Sequence, residues 1–215
     1  MYRLGVDAGD VDTSPTLITS AAFTALMLEM AAGTKSPEWG DWFRISDGVL
    51  ANRVFGWNGE SFGGFAAQAI AQSYAPITRT SANAAGDATA AVLATITMPP
   101  YVMRKSSKLR LTMDWAYVNS VATKTISVLF GGTPIASPSF TTTVATKILT
   151  EIVNADSYSA QKVYNSTSYG STANAHVSGG VDTKAAVAID LRCAWGAATA
   201  SETITLLGYT LELIP

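Results

Sequence analysis

Strict alternation of apolar and polar residues is the feature that most constrains the fold of this chain. From Lys108 to Val118 the odd-numbered positions are large and apolar, and the even-numbered positions are mostly polar or small. Because successive side chains of a strand point to opposite faces, this pattern predicts an antiparallel strand with one buried face. The same period recurs from Ala185 to Trp195 and from Thr203 to Leu213.

Weaker strand patterns fill the intervals between these three segments. They lie at Thr89–Met98, Thr123–Phe130, Thr146–Val153 and Ser159–Asn165, and proline or glycine pairs such as Gly131-Gly132 separate them. Proline and glycine pairs are typical of turns between strands. About eight short strands are expected of a jelly roll or a similar two-sheet sandwich. We therefore predict a mainly β chain, with an antiparallel, jelly-roll-like β-sandwich over residues 81–215.

The first 80 residues differ in character and predict a smaller α+β attachment segment. The polar, small-residue run Ile77–Gly86 marks the boundary. Thr16–Ala32 carries one charge, Glu29, and predicts a helix that is apolar on most sides. Such a helix is buried either within its own chain or by a neighbouring subunit. Ala66–Ala75 predicts a further helical turn or two before the boundary.

Aromatic residues are densest between Trp39 and Phe65, where Asp-Gly, Asn-Gly and Gly-Gly pairs predict short strands and hairpins. Ser46-Asp47-Gly48 and Trp57-Asn58-Gly59 are the expected turns. The aromatic group fits a compact N-terminal core, an interface with another chain or a glycan-binding patch. Together with two residues of the predicted helix it gives the candidate interface: Trp39, Trp42, Phe43, Phe55, Trp57, Phe62, Phe65, Leu26 and Met30.

Composition favours association with proteins over association with nucleic acid or membrane. Charged residues make up 14% of the chain, against about a quarter in a typical soluble domain. Small neutral residues that fill the surface suit close packing between chains. A net charge of -2 offers no attraction to phosphates, and no apolar run of about 18 residues predicts a membrane span. The single cysteine, Cys193, lies in an alternating strand and predicts a buried thiol.

The sequence does not favour an enzyme, and it predicts no cofactor and no metal centre. The single histidine, His176, lies in the Gly- and Ser-rich stretch Ser171–Gly180 and predicts an exposed loop residue. Asp7, Asp10 and Asp12 fit either a solvated turn or a calcium site, although their spacing is not that of an EF-hand. Paired acids for sugar cleavage are not evident, because the candidate carboxylates are scattered along the chain: Glu60, Asp114, Glu151, Asp156 and Asp190.

Two stretches resemble the small β-sandwich domains of tailed-bacteriophage structural proteins. They are Lys124–Thr133 (KTISVLFGGT) and Ala188–Pro215, whose closing strand ends in Leu-Glu-Leu-Ile-Pro. Such domains occur in capsid decoration (cement) proteins, head fibres and tail fibres. The resemblance implies a virion protein that assembles as a homotrimer, but it does not give the position within the virion. The N-terminus has no basic region followed by a short apolar core, which predicts a protein made in the host cytoplasm. The major capsid protein of the same phage is the partner that the leading hypothesis requires.

Our leading hypothesis is a capsid decoration protein located on the capsid surface. Its N-terminal segment would bind the major capsid protein, and its sandwiches would form a trimer above the shell. The alternative is a tail or head fibre subunit that recognises the host surface, with loops such as Ser166–Gly180 reading the receptor. A glycan depolymerase is the third and least supported hypothesis.

Overall fold

A computed structural model describes residues 16–32, 34, 42–47, 51, 54–57, 62–63, 68–81, 89–165, 177–196 and 201–214. The protein is mainly β with antiparallel sheets consistent with a β-sandwich, which confirms the predicted fold class. The elements, in chain order, are β1 (Thr16–Ile18), α1 (Ser20–Ala31), β2 (Trp42–Ile45), β3 (Val54–Trp57), β4 (Phe62–Gly63), β5 (Gln68–Ser73), β6 (Ile77–Thr80), β7 (Ala91–Met98), β8 (Lys108–Tyr117), β9 (Lys124–Phe130), β10 (Thr133–Ala136), β11 (Ser139–Phe140), β12 (Ala145–Asn154), β13 (Gln161–Asn165), β14 (Val177–Gly179), β15 (Val187–Trp195) and β16 (Thr203–Ile214).

Two antiparallel sheets form the larger part of the described structure. The seven-stranded sheet has the order β14-β13-β12-β8-β16-β5, and β6 also pairs with β16. The five-stranded sheet has the order β10-β9-β15-β7, and β11 also pairs with β9. The alternating residues of β8 and β15 face one hydrophobic cluster, in which Trp115, Leu191 and Cys193 are buried. The predicted buried thiol at Cys193 is therefore confirmed.

The hairpin between β9 and β10 turns through the predicted glycine pair. Gly131 and Gly132 have φ values of 55° and 80°, which belong to the left-handed region that glycine adopts without steric cost. A Cβ atom on Gly131 would lie 2.6 Å from Cγ1 of Val181. Glycine at position 131 therefore allows the segment that contains Val181 to pack closely on this turn.

The N-terminal residues form a separate four-stranded sheet with the order β1-β2-β3-β4. The predicted helix at Thr16–Ala32 is shorter than expected, because Thr16–Ile18 pairs as a parallel strand with β2. The hydroxyl of Thr19 accepts a hydrogen bond from the Ala22 amide (3.0 Å) and caps the helix at that point. Helix α1 buries Phe23 but leaves Leu28 exposed, so it is covered on one side only. Within the described ranges no helix is long and apolar enough to cross a membrane.

The helical turn predicted at Ala66–Ala75 is wrong, because Gln68–Ser73 forms β5. The start of the predicted boundary run, Ile77–Thr80, forms β6, and both strands pair with β16. This pairing satisfies backbone groups of β5 and β6 that a helix would have bonded internally. The seven-stranded sheet therefore includes strands that precede residue 81. The division into units 1–80 and 81–215 stays a prediction.

Candidate functional site

The sandwich has two ends that differ in their loop residues. The first, which we call the polar end, contains loops 99–107, 155–160 and 180–186, next to the start of β8 and the end of β12. The second, which we call the apolar end, contains loops 118–123 and 141–144 together with Glu202. At each end, buried polar groups form hydrogen bonds that join the loops.

Three buried neutral side chains fix the loops of the polar end. Asn154, Gln161 and Thr183 are each no more than 2% exposed. The Asn154 amide donates to the carbonyl of Arg104 (2.9 Å) and to the Thr183 hydroxyl (3.0 Å), and its oxygen accepts from Nε2 of Gln161 (2.9 Å). Since each side-chain polar atom of Asn154, Gln161 and Thr183 has a partner, the network specifies one arrangement of these loops.

The same network also bonds the backbone of Val181 and the carbonyl of Tyr158. Gln161 bonds both backbone groups of Val181, with its Oε1 accepting from the amide and its Nε2 donating to the carbonyl, each at 2.9 Å. The Thr183 hydroxyl donates to the carbonyl of Tyr158 (2.9 Å). Burial also lowers the pKa of Arg104, whose carbonyl belongs to this network, from its usual value. The loops around residues 104, 158 and 183 are thus joined through their main chains.

A pocket of about 280 Å³ opens above this network. Tyr158 is 6% exposed, and the ammonium groups of Lys184 and Lys105 lie 5.5 and 5.9 Å from its ring centroid. Tyr101 packs edge-on against the same ring at 5.8 Å. These contacts hold the aromatic ring by cation–π and edge-to-face interactions. The lining residues are Lys105, Asp156, Ser157, Tyr158, Ser159, Asp182 and Lys184.

A buried lysine fixes the apolar end. Lys124 is fully buried, and its ammonium donates to the carbonyl (3.1 Å) and hydroxyl (2.6 Å) of Ser120 and to the carbonyl of Thr141 (2.9 Å). It also lies 3.9 Å from Oε2 of Glu202. One ammonium group therefore satisfies its three donors and joins the loops that contain residues 120, 141 and 202.

Exposed valines lie on the two loops that Lys124 joins. Val118, Val121 and Val144 are 39%, 87% and 56% exposed. The Tyr117 amide donates to the carbonyl of Val144 (2.8 Å), which connects the last residue of β8 to loop 141–144. Burial raises the pKa of Tyr117 to about 12, although the hydrogen bond with Thr146 acts in the opposite direction. The apolar end thus combines a buried charge with apolar side chains in solvent.

The structure describes side chains for four residues of the candidate interface, and all four lie in one core or against it. Phe55 is buried and stacks on Phe23, with ring centroids 4.9 Å apart, and Leu26 is 9% exposed. Phe43 and Met30 are partly buried against the same core. These four positions fit the compact-core interpretation of the aromatic group. Of the other five, Trp39 and Phe65 lie outside the described residues, and only the backbone is described for Trp42, Trp57 and Phe62. The interface as a whole stays a prediction.

The acidic residues considered for catalysis are distributed over several surfaces. Asp114 lies 3.4 Å from Nζ of Lys147, Glu151 accepts from Lys108 and Arg110, and Asp156 lines the pocket. Hydrogen bonds from Arg192 and Thr95 lower the pKa of Asp190. Within the described ranges no group of three His, Cys, Asp or Glu side chains could hold a metal ion. Outside the described residues lie Asp7, Asp10, Asp12, Glu60, His176 and positions 166–176 of the candidate receptor loop.

Sequence patterns did not identify the two loop networks. The pocket combines residues from three loops whose positions in the sequence are far apart, so no local motif marks it. Lys124 did carry a signal, because it shares the inward face of β9 with Ile126 and Val128. A lysine at an inward position of an alternating strand must be paired or hydrogen-bonded.

No protein-family model and no curated protein matches this chain. Among solved structures, it is similar to the C-terminal domain of EclA, a sugar-binding protein, with a TM-score of 0.35 and 10% identity over 66% of this chain and 78% of that one. It is also similar to the VP2 subviral particle of infectious bursal disease virus, with a TM-score of 0.27 and 10% identity over 82% of this chain and 46% of that one. Similarities at this level assign neither a family nor a function to the chain.

Proposed function

We propose that this protein is a non-enzymatic structural component of a bacteriophage particle, and specifically a trimeric capsid decoration protein that binds the major capsid protein. The observation that carries the proposal is the apolar end, where exposed valines lie on loops fixed by Lys124. Exposed apolar side chains on a preorganised surface lose little conformational entropy when another protein covers them. The apolar end therefore adds a second contact to the predicted N-terminal attachment segment.

Such a protein acts by binding alone. A protein that binds the assembled lattice but not its separated subunits stabilises the lattice by its binding free energy. The low share of charged residues, 14% of the chain, favours close packing of the sandwiches around a three-fold axis. Mass measurement by sedimentation tests the trimer directly.

The first test is binding of the purified protein to empty, expanded capsids, with whole host cells as a parallel target. We expect saturable capsid binding that Val121→Asp weakens at least about tenfold, since burying a valine contributes about 1.5–3 kcal/mol and 1.4 kcal/mol is a factor of ten. The matched control is Ala185→Asp, because Ala185 is an exposed apolar residue of loop 180–186 at the polar end and the substitution introduces the same charge. Equal loss in both variants, or no capsid binding by the unmodified protein, contradicts the proposal.

A receptor-binding subunit of a tail or head fibre is the second candidate, and the pocket at the polar end favours it. Recognition sites are commonly formed by loops on a rigid scaffold, as the loops around Tyr158 are. This candidate is supported against the first if the protein binds host cells but not capsids. In that case Lys184→Gln should remove the binding to host cells, and Val121→Asp should leave it unchanged.

A further inference from the structure

We propose that the pocket at the polar end binds a single residue of a neutral saccharide. This inference rests on the residues around Tyr158 and does not depend on capsid binding. Four properties of the pocket carry it: its volume, the kinds of polar groups that line it, the balance of their charges and the rigidity of its walls.

The volume limits the size of the ligand. At about 280 Å³ the pocket lies just below the range of roughly 300–1,000 Å³ that is typical of sites for drug-sized molecules. A single six-membered ring with its substituents fits such a space. An extended oligomer would lie mostly outside it, so one ring of a glycan is the part that the pocket can enclose.

The lining offers donors and acceptors together. The carboxylates of Asp156 and Asp182 accept hydrogen bonds, the ammonium of Lys184 donates, and the hydroxyls of Ser157 and Ser159 do both. Each hydroxyl of a sugar ring also donates and accepts. A ligand that carries several hydroxyl groups can therefore bond all of these side chains, which a purely donating or purely accepting ligand cannot.

The charges of the pocket cancel. Lys105 and Lys184 balance Asp156 and Asp182, and the Asp182 carboxylate accepts from the backbone amide of residue 184 at 3.0 Å. A phosphate or sulfate would lie near two carboxylates and lose much of its attraction to the lysines. Among the described residues that line the pocket there is no arginine to bind such anions in a bidentate manner. Charge balance thus favours a neutral ligand.

The walls are held in place before any ligand binds. Asn154, Gln161 and Thr183 fix the three loops from below, and Tyr101 with the two lysines holds the Tyr158 ring. Binding therefore requires little further ordering of the protein. Because the polar groups of the pocket are hydrated when it is empty, we expect weak affinity for a single sugar, in the millimolar range.

Amide chemical shifts of the full chain test the proposal. The probes are the methyl pyranosides of glucose, galactose and mannose, together with N-acetylglucosamine, and the charged comparators are inorganic phosphate and glucuronate. We expect at least one neutral probe to shift the amides of Ser157, Ser159 and Lys184 in a saturable manner, and to bind more tightly than either comparator. The proposal is overturned if no neutral probe shifts these amides, or if phosphate or glucuronate binds more tightly.

Two variants locate the binding. Asp156→Asn and Lys184→Gln should each weaken binding at least about fivefold, which corresponds to about 1 kcal/mol. Asp156 has a φ of 54°, and asparagine tolerates that conformation, so the first variant keeps the fold. The controls are Asp114→Asn and Lys147→Gln, an exposed ion pair of the seven-stranded sheet. Undiminished binding in both pocket variants overturns the proposal. Capsid binding is measured separately on the same variants. Its loss or absence bears on the proposed decoration function, whereas loss of sugar binding bears only on the pocket.

Discussion

The two ends of the sandwich are built from loops that adjoin opposite ends of β8, β12 and β15, yet different buried groups hold them. The polar end has a buried network of neutral amides and a hydroxyl, and its exposed side chains are charged. The apolar end has a buried ammonium, and its exposed side chains include three valines. At each end, buried hydrogen bonds hold the loops in place, and the exposed side chains take no part in those bonds. Surface chemistry and loop rigidity can therefore be changed separately by mutation.

The difference predicts that the apolar end is the more sensitive to loss of one buried group. Lys124→Met removes the ammonium from three hydrogen bonds and from the neighbourhood of Glu202, a carboxylate that is 5% exposed. Removal of one partner of a buried pair destabilises proteins by about 3–5 kcal/mol. We expect a loss of that size in the free energy of unfolding, measured by urea denaturation.

A double variant checks the cause of this loss. Lys124→Met combined with Glu202→Gln removes both charges, so it should be more stable than Lys124→Met alone. If the single variant loses less than about 1 kcal/mol, the buried ammonium does not organise the apolar end, and the comparison between the two ends fails.

The polar end should lose less when one group is removed, because its network is neutral. Asn154→Ala removes three hydrogen bonds and leaves Nε2 of Gln161 with fewer acceptors. An unsatisfied buried neutral group costs about 1–3 kcal/mol, so we expect a loss of about 2–3 kcal/mol by the same urea measurement. Lys162→Ala, at the exposed position after Gln161, is the control. A loss larger than that of Lys124→Met reverses the predicted order.

High pH should act on the apolar end through Tyr117. Its pKa is about 12 in the folded protein and about 10 in an unfolded chain, so the folded state favours the neutral phenol. The resulting stabilisation is present below pH 10 and is lost as the pH rises towards 12. Tyr117→Phe should lose about 1 kcal/mol at neutral pH, for the hydrogen bond to Thr146. The slope of stability against pH above 10 should be smaller in this variant, and an equal slope would contradict the assignment.

The strands were predictable where large residues alternate. The predicted spans of β8, β15 and β16 agree with the structure within two residues at each end, because burial of one face determines the register. Strands β5 and β6 were missed, since Gln68–Ser73 has one large apolar residue, Ile70, and is otherwise made of small and polar residues without a repeated apolar position. Their conformation depends on pairing with β16, which is more than a hundred residues away in the sequence.

The pocket could not be predicted for a related reason. Its polar groups come from loops around residues 105, 157 and 183, and only the packing of both sheets brings these loops together. Composition gave the expectation of a binding protein without catalytic machinery, but it could not select either end of the sandwich. Lys124 carried a local signal, a charge at an inward strand position, and Asn154 carried a weaker one, because it lies on the same buried face of β12 as Ile148 and Ile152.

The smallest effects on stability should come from the residues proposed to bind partners. Val121 is 87% exposed, so Val121→Asp removes almost no buried area, and substitutions at such positions change stability by about 0.5 kcal/mol or less. Lys184→Gln loses one cation–π contact with Tyr158, which is worth about 0.5–1 kcal/mol at an exposed site. Urea denaturation of both variants should therefore give values within about 1 kcal/mol of the unmodified protein. A larger loss in either variant would mean that its binding defect reflects unfolding, and the separation of loop rigidity from surface chemistry would then not hold at that end.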